Sequence, residues 1–259
     1  MDRPYLFGDS EPAARRLELL ARLFRPSTHA FIAEIGNARF DLAVDLGCGP
    51  GFTTHLIAET LRCDRVLGLD ASPRFVELAQ RTATARVSFV AHDVCAIPFP
   101  GGPADLIFCR YLLTHLENPA AMVARWATQL RAGGMLLIDE VEAIRTAHPV
   151  FTRYLEIVQA MLANQRNCLY AGPIVGALDA PAGLSTLRTD LRPAPMSNSD
   201  AAQMFHLNMQ AWKDGNFVRS NYDAAAMRDL EETLQRLGAD HSPRSEIEWT
   251  MRQTVFHRS

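Results

Sequence analysis

From Phe40 to about Glu142, apolar residues come in short runs bounded by polar or small ones: LAVDLG, RVLGLD, VSFVAHD, DLIFCR and MLLIDEV. Between them lie TTHLIAETLR, PRFVELAQRTA and PAAMVARWATQL, where apolar positions recur every three or four residues, as on one face of a helix. Strands so short and continuous in their apolar character are buried on both faces. Their alternation with helices predicts crossover connections, a mostly parallel sheet and an α/β architecture with helices on both sides. RAGG, at 131–134, reads as the stop of the third helix, because glycine tolerates the left-handed conformation that closes a helix.

Beyond Glu142 the rhythm changes. HPVFTRYLEIVQAMLANQ predicts a helix, AGPIVGALDAPAGL a short helix or loop, and STLRTDLRPAP a strand. SDAAQMFHLNMQAWKD predicts another helix. DAAAMRDLEETLQRLG predicts one more, with Asp223 as its N-cap and Gly238 as its stop. EIEWTMRQTVFH alternates as a closing strand. The expected organisation is an N-terminal lead-in over 1–39, a core formed by 40–144 and 221–259, and a mixed region with a partial helical cap over 145–220.

The composition narrows the function classes. The chain has 259 residues, 48% hydrophobic and 21% charged, with a formal net charge of -3, enough apolar material for a sizeable core. That balance offers no concentrated basic surface for nucleic acid. No apolar stretch is long enough to cross a bilayer, and MDRPYLFGDSEPAARR lacks the apolar core of a secretory signal. Five scattered cysteines without a CxxC pair suggest reduced thiols, hence a cytoplasmic protein, and neither a disulfide framework nor a zinc site.

The chemistry gathers where strands end. VDLGCGPGF places Gly47, Gly49 and Gly51 between a strand and an amphipathic helix, where bare backbone and a helix N-terminus can face a ligand. The spacing is G-x-G-x-G and differs from the G-x-G-x-x-G of dinucleotide sites. Asp45, inside the strand end, suits a ligand with positive charge or amide donors better than phosphates, which argues against NAD. Asp70 closes the second run and can accept both hydroxyls of a ribose; Asp93 closes the third and can accept from an adenine amine. Each acid alone could equally cap the next helix. Three at successive strand ends beside a glycine loop describe an adenosyl group with a cationic tail.

In this order, VDLGCGPGF, GLDASP, AHDV and ADLIFCRYLLTHLENP…LRAGGMLLIDE resemble the class I S-adenosylmethionine-dependent methyltransferases over about residues 40–142. The resemblance implies a Rossmann-like seven-stranded sheet whose last strand runs antiparallel. It also implies S-adenosyl-L-methionine as cofactor, with Asp45 and Gly47 near the methionyl amino end, Asp70 on the ribose, and Asp93 with Val94 framing the adenine. Cys48 and Ala71, inside the same motifs, are carried along as cofactor contacts. YLFGDSEPAARRLELLARL is similar to a lead-in of some small-molecule members, which would let Tyr5 and Arg16 close over the cofactor, Arg16 taking its carboxylate; the alternative is a solvated surface helix.

After the fourth strand, Arg110 and Tyr111 are expected at the carboxyl edge of the sheet, near the sulfonium. His115 follows Tyr111 by four residues, on roughly the same helical face. These two are the catalytic candidates. His115 either removes a proton from the attacking atom or only hydrogen-bonds and shapes the pocket, since in-line methyl transfer can proceed on positioning alone. Glu140 and Glu142 share one face of the fifth strand and Asp139 takes the other. With Tyr170 and His206 from the cap, Glu140 and Glu142 are the substrate-binding candidates; the alternatives are that one strand-end acid acts as base, that these acids are only polar residues leaving the sheet, and that His206 is a satisfied buried histidine. Met161, Met204, Phe205, Met209 and Trp212 form either an aromatic and thioether pocket or ordinary core. No metal site is expected, because no convincing acid and amide set can be assembled.

The function expected is methylation of a small-molecule metabolite at O, N or S, by a monomer or homodimer with no nucleic-acid or membrane partner. The alternatives are an S-adenosylmethionine-binding protein that rearranges or senses its ligand, and a nicotinamide oxidoreductase.

Overall fold

The structure is a computed structural model, described here over residues 8–240 and 243–259. The elements run α1 (Glu11–Ala33), β1 (Arg39–Leu46), α2 (Phe52–Thr60), β2 (Arg62–Asp70), α3 (Pro73–Gln80), β3 (Val87–Ala91) and β4 (Ala104–Arg110). They continue with a 3-10 turn (Leu113–His115), α4 (Pro119–Ala127), β5 (Leu130–Thr146), α5 (Pro149–Asn164), α6 (Gly172–Gly176) and β6 (Leu184–Pro193). The last are α7 (Asn198–Trp212), α8 (Asn216–Asn221), α9 (Ala224–Ala239) and β7 (Ile247–Arg258).

Seven strands form one sheet in the order β3-β2-β1-β4-β5-β7-β6. β3, β2, β1, β4 and β5 pair in parallel, and β7 runs antiparallel between β5 and β6. This is the expected fold: a mostly parallel, Rossmann-like sheet with its last strand antiparallel. The order reverses at β1, so crossovers on either side leave a crevice at the carboxyl ends of β1 and β4.

Strand alternation divides the core. Ala43 faces one side with Phe31, Ile32, Ile57 and Ala79 from α1, α2 and α3. Leu42, Val44 and Leu46 face the other, against Trp126 of α4 and Val175 of α6. A third cluster lies beyond the carboxyl edge, where Leu20 and Phe24 of α1 meet Val141, Ile144, Tyr154, Phe205, Leu234 and Trp249. α1 therefore belongs to two cores: its last turn covers the sheet and its first half supports the layer built by α5, α7 and α9. β6, which lies within 145–220, joins the sheet, and α9, from 221–259, packs on α7. Among the described residues, no helix is long and apolar enough to cross a membrane.

Two stop signals work differently from the expectation. α4 ends at Thr128, and 131–134 lie inside β5, where Gly133 takes a φ of 78° beside a register shift against β4. Glycine's conformational freedom is used here to start a strand. Gly238 sits inside α9, which continues to Ala239; its bare Cα lets α7 approach, with Gln203 Cγ 3.0 Å from where a Cβ would stand. Its carbonyl accepts hydrogen bonds from Ser199 Oγ and Gln203 Nε2 at 2.8 and 2.7 Å. Asp223 caps α9 as expected, accepting from the backbone N–H groups of Ala225 and Ala226. α8 was not anticipated.

Candidate active site

Between β1 and α2 the chain turns through Gly47, Gly49 and Gly51 at φ of 66°, 52° and 93°, values that favour glycine. Gly51 is the N-cap of α2, and a Cβ there would stand 2.7 Å from Phe89 Cζ. The loop is tied down by Cys48 N–H donating to Leu69 O at 3.0 Å and by Gly49 N–H donating to Asp70 Oδ2 at 2.8 Å. Asp70 Oδ1 accepts from Ser72 N–H at 2.8 Å. One carboxylate thus joins two loops while each oxygen keeps a further lone pair. Burial raises the Asp70 pKa, and the two backbone bonds oppose that rise.

These loops open into a cavity of about 730 Å³ that runs from the strand ends to the helical layer. Gly47, Cys48, Gly49, Asp70 and Ala71 line it on one side; Asp93, Val94 and Arg110 line it on another. Asp93 Oδ1 holds the following turn through Cys95 N–H at 2.8 Å, and Val94 O accepts from Trp126 Nε1 at 2.9 Å. The lead-in contributes Gly8, Asp9 and Arg16, and Asp9 Oδ2 accepts from Ser72 Oγ at 2.9 Å. Arg16 is buried at 5% exposure. Tyr5 lies outside the described residues.

Of the expected cofactor residues, Asp45 and Gly51 stand behind the wall. Asp45 is 2% exposed and accepts from Thr54 Oγ1 of α2 at 2.7 Å. Burial pushes its pKa up to about 7, opposed by Thr54 and by the charge of Arg110. Asp45 thus braces the glycine loop from beneath, and Gly51 does so by letting Phe89 pack close.

The catalytic pair is arranged differently from the expectation. Residues 111–115 form no α-helix: Tyr111 takes a φ of 56° and the chain then makes the 3-10 turn, so the two side chains share no helical face. Tyr111 borders the cavity, but its hydroxyl donates to Met251 Sδ at 3.3 Å and its ring meets Phe24 edge-on at 5.1 Å. Burial raises its pKa well above the usual range, so its part here is packing, not proton transfer. His115 lines the cavity, and burial, followed by the nearby Arg16 guanidinium, lowers its pKa to about 3. It is a neutral imidazole at physiological pH, suited to hydrogen bonding and a weak base.

None of the four expected substrate binders lines the cavity. Glu140 is fully buried, with Oε1 accepting from the N–H groups of Leu112 and Leu113, both at 2.8 Å. It fastens the turn that carries His115. Glu142 forms a two-bond ion pair with Arg252 of β7 at 2.8 and 2.9 Å. Tyr170 donates to Ile144 O at 3.4 Å, and His206 sits on the α7–α9 seam beside Gln210 and Glu231. Each is drawn away by a partner that the topology supplies. On the other face of β5, Asp139 accepts from Thr28 Oγ1 and Gln253 Nε2, and Arg110 donates to Thr28, which ties α1 to the sheet.

The sequence reading missed Tyr154, Asn208 and Trp249, all of which line the helical end of the cavity. Asn208 had a signal: it interrupts the apolar stripe Met204, Phe205, Met209, Trp212. Met204 and Phe205 reach the wall, while Met161, Met209 and Trp212 stay in the core.

Residues 44–138 match a family model described as a methyltransferase domain. Curated relatives include the trans-aconitate 2-methyltransferases of Rhizobium rhizogenes, 36% identical over 42% of this chain and 41% of the relative. That of Methylobacterium radiotolerans is 33% identical over 59% of this chain and 53% of the relative. The chain therefore spans about half the length of the curated relatives it matches. Among solved structures, a complex of a methyltransferase with the Haloferax volcanii Trm112 methyltransferase activator aligns at TM-score 0.62 and 18% identity, covering 100% of this chain and 99% of that one. The cyclopropane synthase MmaA2 from Mycobacterium tuberculosis aligns at TM-score 0.58 and 15% identity, covering 92% and 84%. At these identities the structural likeness is one of fold.

Proposed function

We propose that the chain, whose residues 44–138 match a methyltransferase domain, is a class I S-adenosylmethionine-dependent methyltransferase that methylates a small-molecule metabolite at O, N or S, as a monomer or homodimer in the cytosol. The observation that carries this reading is a single cavity joining the glycine loop and Asp70 to a chamber under α5 and α7. The donor set fits S-adenosylmethionine: bare backbone at Gly47 and Gly49, a carboxylate with spare lone pairs at Asp70, a second acid at Asp93, and the buried cation Arg16.

S-adenosylmethionine supplies, when bound, a methyl group activated on a sulfonium. In this reading Asp70 accepts from the ribose hydroxyls, Asp93 and Val94 frame the adenine, and Arg16 takes the carboxylate. Gly47, Cys48 and Gly49 let backbone lie close, and Asp45 holds their loop through Thr54. His115 contributes a hydrogen bond toward the acceptor and holds it in line, so positioning provides the catalysis. The curated relatives' names would add a tricarboxylate acceptor.

Titration calorimetry with S-adenosylhomocysteine tests the proposal. Micromolar binding is expected, and Asp70→Ala should weaken it more than about tenfold, since a charged hydrogen bond is worth roughly 1.5–3 kcal/mol. Unchanged affinity in the variant refutes the ribose assignment; absence of binding to the wild type refutes the cofactor reading.

A further inference from the structure

β6 is one edge of the sheet: β7 pairs with it on one side, and among the described residues no strand pairs with it on the other. In an antiparallel pair every second residue turns its N–H and C=O away from the partner strand. The outer side of β6 therefore carries backbone groups able to pair with a further strand. Leu187 and Leu191 on this strand are 58% and 53% exposed, more than any other large apolar residue among those described. Exposed apolar side chains on an open sheet edge favour strand addition.

The charges of β6 stand in a fixed order. Arg188 lies over the Phe31 ring at 5.7 Å and pairs with Glu34 of α1. Arg192 Nη2 reaches Glu34 Oε1 at 3.1 Å, and Asp190 Oδ2 is 3.1 Å from Arg188 Nε. All four side chains remain partly exposed. Lay a second copy antiparallel along this edge with the two-fold axis at Thr189, and residues symmetric about 189 stand opposite one another. Arg188 then faces the second copy's Asp190, Asp190 its Arg188, and Leu187 its Leu191. Opposite charges meet opposite charges, and leucine meets leucine. An axis at Asp190 would instead set Arg188 against Arg192 and Asp190 against itself. An axis at Leu191 also matches charges, but it overlaps only 189–193, whereas the axis at Thr189 overlaps 185–193. The register shift between Thr186 and Arg188 and the missing N–H of Pro193 shorten the outer ladder, so association belongs in the micromolar range.

We propose that β6 is a homodimer interface, where two copies pair edge to edge and antiparallel about Thr189, joining their sheets. Both copies use the same patch, so the contact closes on itself. The occupant is a second copy because the strand is complementary to itself in both its charges and its leucines. The interface lies away from β1 and β4, and neither Leu187 nor Leu191 lines the cavity. It stands independently of the methyltransferase reading.

The test is sedimentation velocity of the full chain at about 1–100 μM. The wild type is expected to pass from monomer to dimer over this range. Leu187→Lys/Leu191→Lys changes two exposed positions, so its thermal midpoint should stay at the wild-type value. It should raise the dissociation constant at least about tenfold, because it sets like charges opposite one another across the axis. Leu187→Glu/Leu191→Lys should bring association back to within about threefold of wild type, because this register puts each introduced acid opposite an introduced base. A wild type that stays monomeric throughout overturns the proposal, as does association unchanged in Leu187→Lys/Leu191→Lys. Association as weak in Leu187→Glu/Leu191→Lys as in the double lysine variant overturns the register about Thr189. None of these results touches the methyltransferase reading.

Discussion

Glu140 offers a direct test of how the turn bearing His115 is held. Its side chain is fully buried, one oxygen accepts from two backbone N–H groups, and the other has no hydrogen-bond partner among the described residues. Burial raises its pKa from 4.5 to about 8 despite those two bonds. A carboxyl with a folded pKa above its unfolded value binds an extra proton when folded. Its contribution is therefore complete below the unfolded pKa and is lost as pH rises through the folded one. Linkage allows a loss of up to about 1.4 kcal/mol per pH unit. Between pH 6.5 and 8, with the folded titration centred near its upper end, the integrated loss is about 1.5 kcal/mol. At pH 6.5 an unfolded histidine is still about half charged, and Asp45, with its pKa at about 7, also titrates in this window, but both groups are present in wild type and variant alike, so their contributions cancel in the comparison. Glu140→Gln keeps the shape and an oxygen for the two N–H groups while removing the titration. Urea denaturation of wild type and variant at pH 6.5 and 8 should show the wild type losing about 1.5 kcal/mol more than the variant. Equal losses in the two proteins would refute the buried, protonated carboxyl.

Gly51→Ala should destabilise the fold by about 2 kcal/mol or more, combining the cost of a left-handed φ with a Cβ 2.7 Å from Phe89 Cζ. A denaturation midpoint within error of wild type would contradict the packing behind the glycine loop. The His115 ring should stay neutral in NMR titrations from pH 8 down to about 4.5, since burial and Arg16 lower its pKa to about 3; His115→Gln identifies its resonance. A transition near pH 6.5 that disappears in the variant would restore it as a candidate base.

What the sequence determined by itself was mostly local. Apolar runs of strand length alternating with helical stripes specify a parallel α/β sheet, because each element's period dictates which residues it must bury. That the glycine loop, Asp70 and Asp93 gather on one cavity was legible for a similar reason: residues that follow the carboxyl ends of neighbouring parallel strands lie along one edge of the sheet. Tertiary structure decided the remainder. Glu142 looked like a substrate ligand until β7 brought Arg252 against it, and Glu140 until the 111–113 backbone turned its N–H groups toward it. His115 carries no sign in the sequence of the burial that suppresses its charge. Tyr154, Asn208 and Trp249 come from three elements far apart in the chain, and their convergence depends on how α5, α7 and β7 pack over the sheet. Backbone periodicity is written residue by residue. Desolvation, ion pairing and the shape of a chamber arise only when distant segments exclude water from one another, so the helical end of the cavity could be read only from the folded chain.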